Sequence, residues 1–144
     1  MKNWIFVCVL ALGLVGCREK AGSENSPGDA ESEAAAGSQS AEIKADELAE
    51  MLQARPGLVV IDIRTPAEFA QGHIEGAINI DFLDAGFAEA IAGIDTGAPT
   101  AFHCRSGGRS GQAEQVLEAF PFAELYHFSG GSNAWSDAGK PMVK

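Results

Sequence analysis

The sequence predicts an α/β domain, an open parallel sheet of about five strands with helices on both faces, and three observations predict it. Short apolar runs alternate with helical apolar spacings over roughly 100 residues, the pattern of strands joined by crossover helices. The run from Leu58 to Ile63 is almost uninterrupted in apolar, mostly β-branched residues, which suits a strand covered on both faces. The glycine-rich stretch after Cys104 stands between a strand-like and a helix-like segment, the place where open α/β sheets gather ligands.

Taken in order, Ile43, Leu48, Met51 and Leu52, with Glu42, Glu47 and Glu50 between them, predict a short amphipathic helix that Arg55-Pro56-Gly57 ends. Leu58 to Ile63 is the first strand. In Thr65-Pro66-Ala67-Glu68 the threonine caps, the proline suits the first helical position and the glutamate completes a capping box, so a helix starts there and stops near Gly72. Ala77 to Ile80 reads as a second short strand, Phe87 to Ala92 as a further helix, and Thr100 to His103 as a third strand entering Cys104. Val116, Leu117 and Phe120 place a helix over Gln112 to Phe120. Glu124 to Phe128 is the last strand before Gly130-Gly131, and a short final helix holds Trp135 as a core residue. Internal repeats are absent.

The chain has 144 residues, enough for one domain of ordinary size plus its termini. Residues 1–16 read as an export signal, because Lys2 and the amino terminus are positive and Trp4 to Gly16 carries no charge. That apolar run is shorter than the roughly 20 residues a spanning helix needs. Its end, Leu14-Val15-Gly16-Cys17, resembles the lipobox of bacterial lipoproteins, in which cleavage precedes the cysteine and the cysteine is acylated. The resemblance implies a membrane anchor on Cys17 facing the periplasm. The alternative is an ordinary cleaved signal and a soluble periplasmic protein. Arg18 is not the aspartate that marks inner-membrane retention in enteric bacteria, which favours the outer membrane.

Residues 17–41 are then the lipidated cysteine and a flexible acidic linker, rich in Ala, Gly, Ser and Glu and without aromatic or β-branched residues before Ala41. Residues 42–144 form the domain. Ten Lys and Arg stand against twenty Asp and Glu, a net charge of −10. Loss of residues 1–16 removes only Lys2 and makes the chain more acidic still. Nucleic acid is therefore excluded as a partner.

Of the three cysteines, Cys8 leaves with the signal and Cys17 is lipidated, so Cys104 remains alone. A thiol without an internal partner in an oxidising compartment points to a reactive group, whereas a buried, inert cysteine is the commoner fate of a free thiol. Context favours reactivity. Cys104-Arg105-Ser106-Gly107-Gly108-Arg109-Ser110 runs from a strand end into a helix start, where successive backbone N–H groups converge on an anion. The same field, with Arg105 and Arg109, lowers the pKa of a thiol at the head of the loop.

The chain resembles a rhodanese-homology domain from about Ala41 to Lys144, on three blocks. One is Val60-Ile61-Asp62-Ile63-Arg64-Thr65-Pro66-Ala67-Glu68-Phe69, continued by Gly72-His73-Ile74-Glu75-Gly76-Ala77-Ile78-Asn79-Ile80. The others are the loop Cys104–Ser110, and Gly130-Gly131 with Trp135, Gly139 and Pro141. The resemblance implies a sulfurtransferase in which the Cys104 thiolate takes sulfur from a donor such as thiosulfate as a persulfide and passes it to a thiol or cyanide. It implies that the amides of Arg105, Ser106, Gly107, Gly108, Arg109 and Ser110 hold the anionic sulfur, that Arg105 and Arg109 orient the donor's sulfonate, and that Ser110 donates to sulfur. No cofactor is implied, and a single cysteine with scattered histidines makes no metal site. The alternatives are a non-catalytic persulfide carrier or thiol sensor, and a cysteine-dependent phosphatase or arsenate reductase. Against the latter, Cys104 to Arg109 is Cys-x₄-Arg, one residue shorter than the phosphatase loop it resembles.

The remaining polar residues have structural readings. Asp62 and Arg64 at a strand end suit a supporting ion pair, Glu68 a cap, and His73 a satisfied structural position. Strand alternation turns His103 away from Cys104. His127 carries no signal, and oligomeric state is not legible.

Overall fold

A computed structural model describes residues 38–144. The segments read as signal peptide and lipidated Cys17, and the linker as far as residue 37, lie outside the described residues. The described chain runs β1 (Ser40–Ile43), α1 (Ala45–Ala54), β2 (Val59–Asp62), α2 (Pro66–Gln71), β3 (Ile78–Asn79), α3 (Phe87–Ala92), β4 (Thr100–His103), α4 (Gly108–Glu118), β5 (Leu125–Phe128) and α5 (Gly131–Asp137). All five strands are parallel, in the order β1-β5-β4-β2-β3. The fold class is thus the one expected.

The helices divide between the two faces. Strand alternation sends Ile61, Phe102 and Leu125 to one face, where Ile91 of α3 and Ala113 and Leu117 of α4 cover them. Val60, Ala101 and Phe128 point the other way, under Leu48 of α1 and Trp135 of α5. Most of these side chains are fully buried. Each buried Val, Leu, Ile or Phe among them stabilises the fold by about 1.5–3 kcal/mol relative to leaving it in water.

α2 starts as its capping box requires. Glu68 N donates to Thr65 Oγ1 at 3.3 Å, and Thr65 N donates back to Glu68 Oε2 at 3.2 Å. Two elements differ from the expectation. Ile43, read as the first apolar residue of a helix, is the last residue of β1, and α1 begins two residues later. Its neighbours Ala41 and Glu42 are exposed, so this edge strand shows no apolar alternation and is defined by its pairing with β5. α4 starts at Gly108, four residues before the expected Gln112.

A buried ion pair fixes the turn after β2. Arg64 Nε lies 2.9 Å from both Asp62 carboxylate oxygens and Nη2 2.6 Å from Oδ2. Arg64 Nη2 also donates to Gly72 O, and Asn79 Nδ2 donates to the carbonyls of Asp62 and Arg64. These contacts satisfy the charges that burial would otherwise penalise. The supporting role expected of Asp62 and Arg64 is what the contacts display.

Candidate active site

β4 lies in the middle of the sheet, between β2 and β5, and Cys104 follows its last residue. Phe102 and Cys104 are two residues apart and face α4, whereas His103 points to the opposite face, its ring 5.9 Å from that of Phe128. His103 is fully buried, and burial, ahead of the opposing pull of Asp62, holds its imidazole below the ordinary range. Its Nδ1 faces the Cys104 carbonyl at 2.9 Å, so its contact with Cys104 is through backbone.

The loop curls back over the thiol. Gly107 N donates to Cys104 Sγ at 3.2 Å, and the amides of Ser110 and Ser106 also point at the sulfur. Ser110 Oγ lies 3.5 Å from Sγ. Burial raises the thiol pKa, but these hydrogen bonds outweigh it and the net shift is downward. The sulfur is ringed by N–H groups that favour its anion. Cys104 is also only 1 % exposed. The thiol therefore sits at the floor of the cradle, packed beside the core residues under α4 and not on the open surface.

Two glycines allow this curl. Gly107 has φ +89°, and a Cβ there would lie inside contact distance of the Ser129 carbonyl oxygen. Gly131 has φ +61°, and its Cβ would run into the backbone of Cys104 and Arg105. The turn from β5 into α5 packs directly on the loop, where Ser132 N donates to Cys104 O at 2.9 Å and Asn133 N to Arg105 O at 3.0 Å.

The two loop arginines occupy different environments. Arg109 is gripped by Glu68 in a fork, with Nη1–Oε2 and Nη2–Oε1 both 2.7 Å. The Arg109 guanidinium, above all other influences, holds the Glu68 carboxyl down at about 2. Glu68 thus caps α2 and clamps the loop's last arginine, and only the cap was legible. Arg105 makes no side-chain hydrogen bond or ion pair among the described residues. It lines a polar cavity of about 250 Å³ shared with Arg64, Glu68, Gln71, Ser132 and Asn133, to which the Cys104 side chain does not contribute. Gly108 contributes the first residue of α4, and Ser106 is exposed.

His127 is the residue that sequence reasoning passed over. Its Nε2 lies 2.9 Å from Ser110 Oγ. Strand alternation from the apolar Leu125 would have put it on the α4 face, but nothing local marks its partner 17 residues away.

The one thiol among the described residues, cradled by backbone amides at a strand-to-helix turn of a parallel sheet, places the domain among α/β folds built to hold an anion at the carboxyl ends of their strands. The model of the rhodanese-like domain family matches residues 44–138, and the chain belongs to that family. Among its relatives are the thiosulfate sulfurtransferase GlpE of Pseudomonas putida, 38% identical over 84 residues that make up 58% of this chain and 74% of GlpE, and a sulfurtransferase of Allochromatium vinosum, 33% identical over 104 residues, 71% of this chain and 94% of that one. The crystal structure of a rhodanese-related protein from Thermoplasma volcanium superposes with a TM-score of 0.62 at 26% identity, covering 74% of this chain and 98% of the other.

Proposed function

We propose that the protein is a sulfurtransferase that moves a sulfane sulfur from a donor such as thiosulfate to a thiol or cyanide acceptor through a persulfide on Cys104. The observation that carries the reading is the amide ring on Sγ, which favours the thiolate although the residue is buried. In the first half-reaction the thiolate attacks the outer sulfur of thiosulfate; the new Sγ–S bond forms as the donor's S–S bond breaks, and sulfite leaves with the electron pair. In the second, an acceptor thiolate or cyanide attacks the outer sulfur of the persulfide, and Cys104 departs as thiolate. The amides of residues 105–110 stabilise the negative sulfur in both states. The tight fit around Sγ supports a donor that presents a single protruding sulfur.

Arg105, whose guanidinium is uncommitted and lines the adjoining cavity, is the residue best suited to the donor's sulfonate. Arg109 acts on the donor only if it leaves Glu68; while paired it shapes the loop. We further propose that the chain is held at the periplasmic face of a membrane, the outer membrane being favoured, through acylated Cys17, a reading supported by the lipobox-like Leu14–Cys17.

The test is incubation with thiosulfate followed by peptide mass analysis of the Cys104 segment. The expected result is a gain of one sulfur atom that added thiols remove and that Cys104→Ser abolishes. Inertness of the wild type toward thiosulfate, polysulfide and a persulfide donor alike would refute the enzymatic reading. A persulfide that forms once and is never passed on would instead favour the thiol sensor.

A further inference from the structure

Ser110 has one hydroxyl proton and three groups placed to receive it. Its Oγ lies 3.5 Å from Cys104 Sγ, 3.2 Å from Gly107 O and 2.9 Å from His127 Nε2. Cys104, Ser110 and His127 are all buried. The other ring nitrogen of His127, Nδ1, lies 3.4 Å from Glu114 Oε1, and Ser40 of β1 donates its hydroxyl to that same oxygen. The imidazole is stacked flat on Phe102, with centroids 4.8 Å apart and planes inclined by 8°. A row of contacts therefore runs from Glu114 through an imidazole and a hydroxyl to the reactive sulfur.

The proton on Nε2 decides what this row does. A bare Nε2 is the nearest acceptor for the Ser110 hydroxyl and draws its proton away from sulfur. A protonated Nε2 donates to Oγ, which leaves the hydroxyl proton for Sγ or for the Gly107 carbonyl. Of those two, an ionised thiolate is the stronger acceptor.

We propose that His127 is a positioning residue for Cys104: with a proton on Nε2 it aims the Ser110 hydroxyl at the sulfur, and without one it turns that hydroxyl away. The proposal rests on Cys104 being the reactive thiol. Burial raises the Cys104 thiol pKa, and the Ser110 hydroxyl leads the hydrogen bonds that reverse it, so the direction of this one proton matters. The charged and titratable groups that face the imidazole are Glu114 of α4, Glu42, its register partner on β1, and Cys104 at the end of β4; Glu118, one turn along α4, accepts from Ser40 N. Arg109, next to Ser110, is turned to Glu68.

The test follows alkylation of Cys104 by iodoacetamide in the full chain, read by peptide mass from about pH 5 to 9, a range spanning imidazole and thiol titration. The wild-type profile has two steps, because loss of the Nε2 proton withdraws the Ser110 hydroxyl from the thiolate. His127→Phe keeps the stack on Phe102 but removes the nitrogen that competes for the hydroxyl; its profile has one step, with the wild-type rate at the acid end and a rate up to about fivefold above the wild type at higher pH, the worth of one neutral hydrogen bond. His127→Gln keeps an N–H on Oγ without the titration, giving one step with the wild-type rate at the acid end. Ser110→Ala combined with His127→Phe gives the profile of Ser110→Ala alone, since both act through one hydroxyl. A wild-type profile in His127→Phe, or a double variant that differs from Ser110→Ala alone, overturns the proposal. Where His127→Phe fails to fold, a two-step profile in His127→Gln overturns it equally. Alkylation needs no sulfur donor, so a Cys104 that accepts no sulfur would defeat the functional reading and leave this result standing.

Discussion

Glu68 serves two elements with one carboxylate. It closes the capping box of α2 through Thr65 and forks Arg109 on the loop that follows Cys104, 41 residues away. The Arg109 hydrogen bonds, assisted by Thr65, hold its pKa at about 2, below the value of 4.5 that an unperturbed glutamate has. A carboxyl depressed in the folded state stabilises the fold above the unfolded pKa, and that stabilisation is lost as pH falls through the folded one. The window therefore runs from 4.5 down to about 2. Thermal melts should show Glu68→Gln destabilised by about 1–2 kcal/mol at pH 7, after discounting for partial solvent screening. Its melting temperature should also drop less steeply than that of the wild type across the acid window. Parallel slopes for the two proteins would mean that the ion pair contributes nothing measurable.

Among the elements, the turn from β5 into α5 governs the shape of the Cys104–Ser110 loop. Gly131 occupies left-handed φ with no room for a Cβ against the Cys104 and Arg105 backbone. Gly131→Ala should cost about 2–4 kcal/mol, because backbone strain and a backbone clash coincide and neither neighbour is a flexible side-chain end. Denaturant unfolding measures the loss, and a Cys104 thiol pKa drifting up toward that of free cysteine would report the opened cradle. An unchanged thiol pKa would show that the loop holds its shape without this contact.

Legibility at this scale followed locality. The capping box at Thr65–Glu68 and the buried run of β2 are written in neighbouring residues, and both formed where expected. β1 was hidden because its exposed Ala41 and Glu42 carry no apolar alternation; only β5 defines it. The first turn of α4 was hidden by Gly107, Gly108 and Gly111, weak helix formers of which the curl of the loop requires Gly107. The loop itself was legible from Cys104 to Ser110. The Glu68 fork and the Glu114–His127–Ser110 row were not, since they depend on which strands become neighbours.

For the molecule as a whole, the charge and the parallel topology bear on how it works where it resides. Cys17→Ala should release the protein from the membrane fraction into the soluble one, which fractionation and immunoblotting would measure. Unchanged fractionation would remove the anchoring proposal. Because every strand runs the same way, Ser40 starts β1 at one end of the sheet while Cys104 leaves β4 at the other. The described chain therefore begins at the pole remote from the thiol, where Ser38 donates to the Phe120 carbonyl at the far end of α4. Under the anchoring proposed above, a tether would meet the domain on the side opposite Cys104, which leaves the approach of a small sulfur donor to the cradle unobstructed.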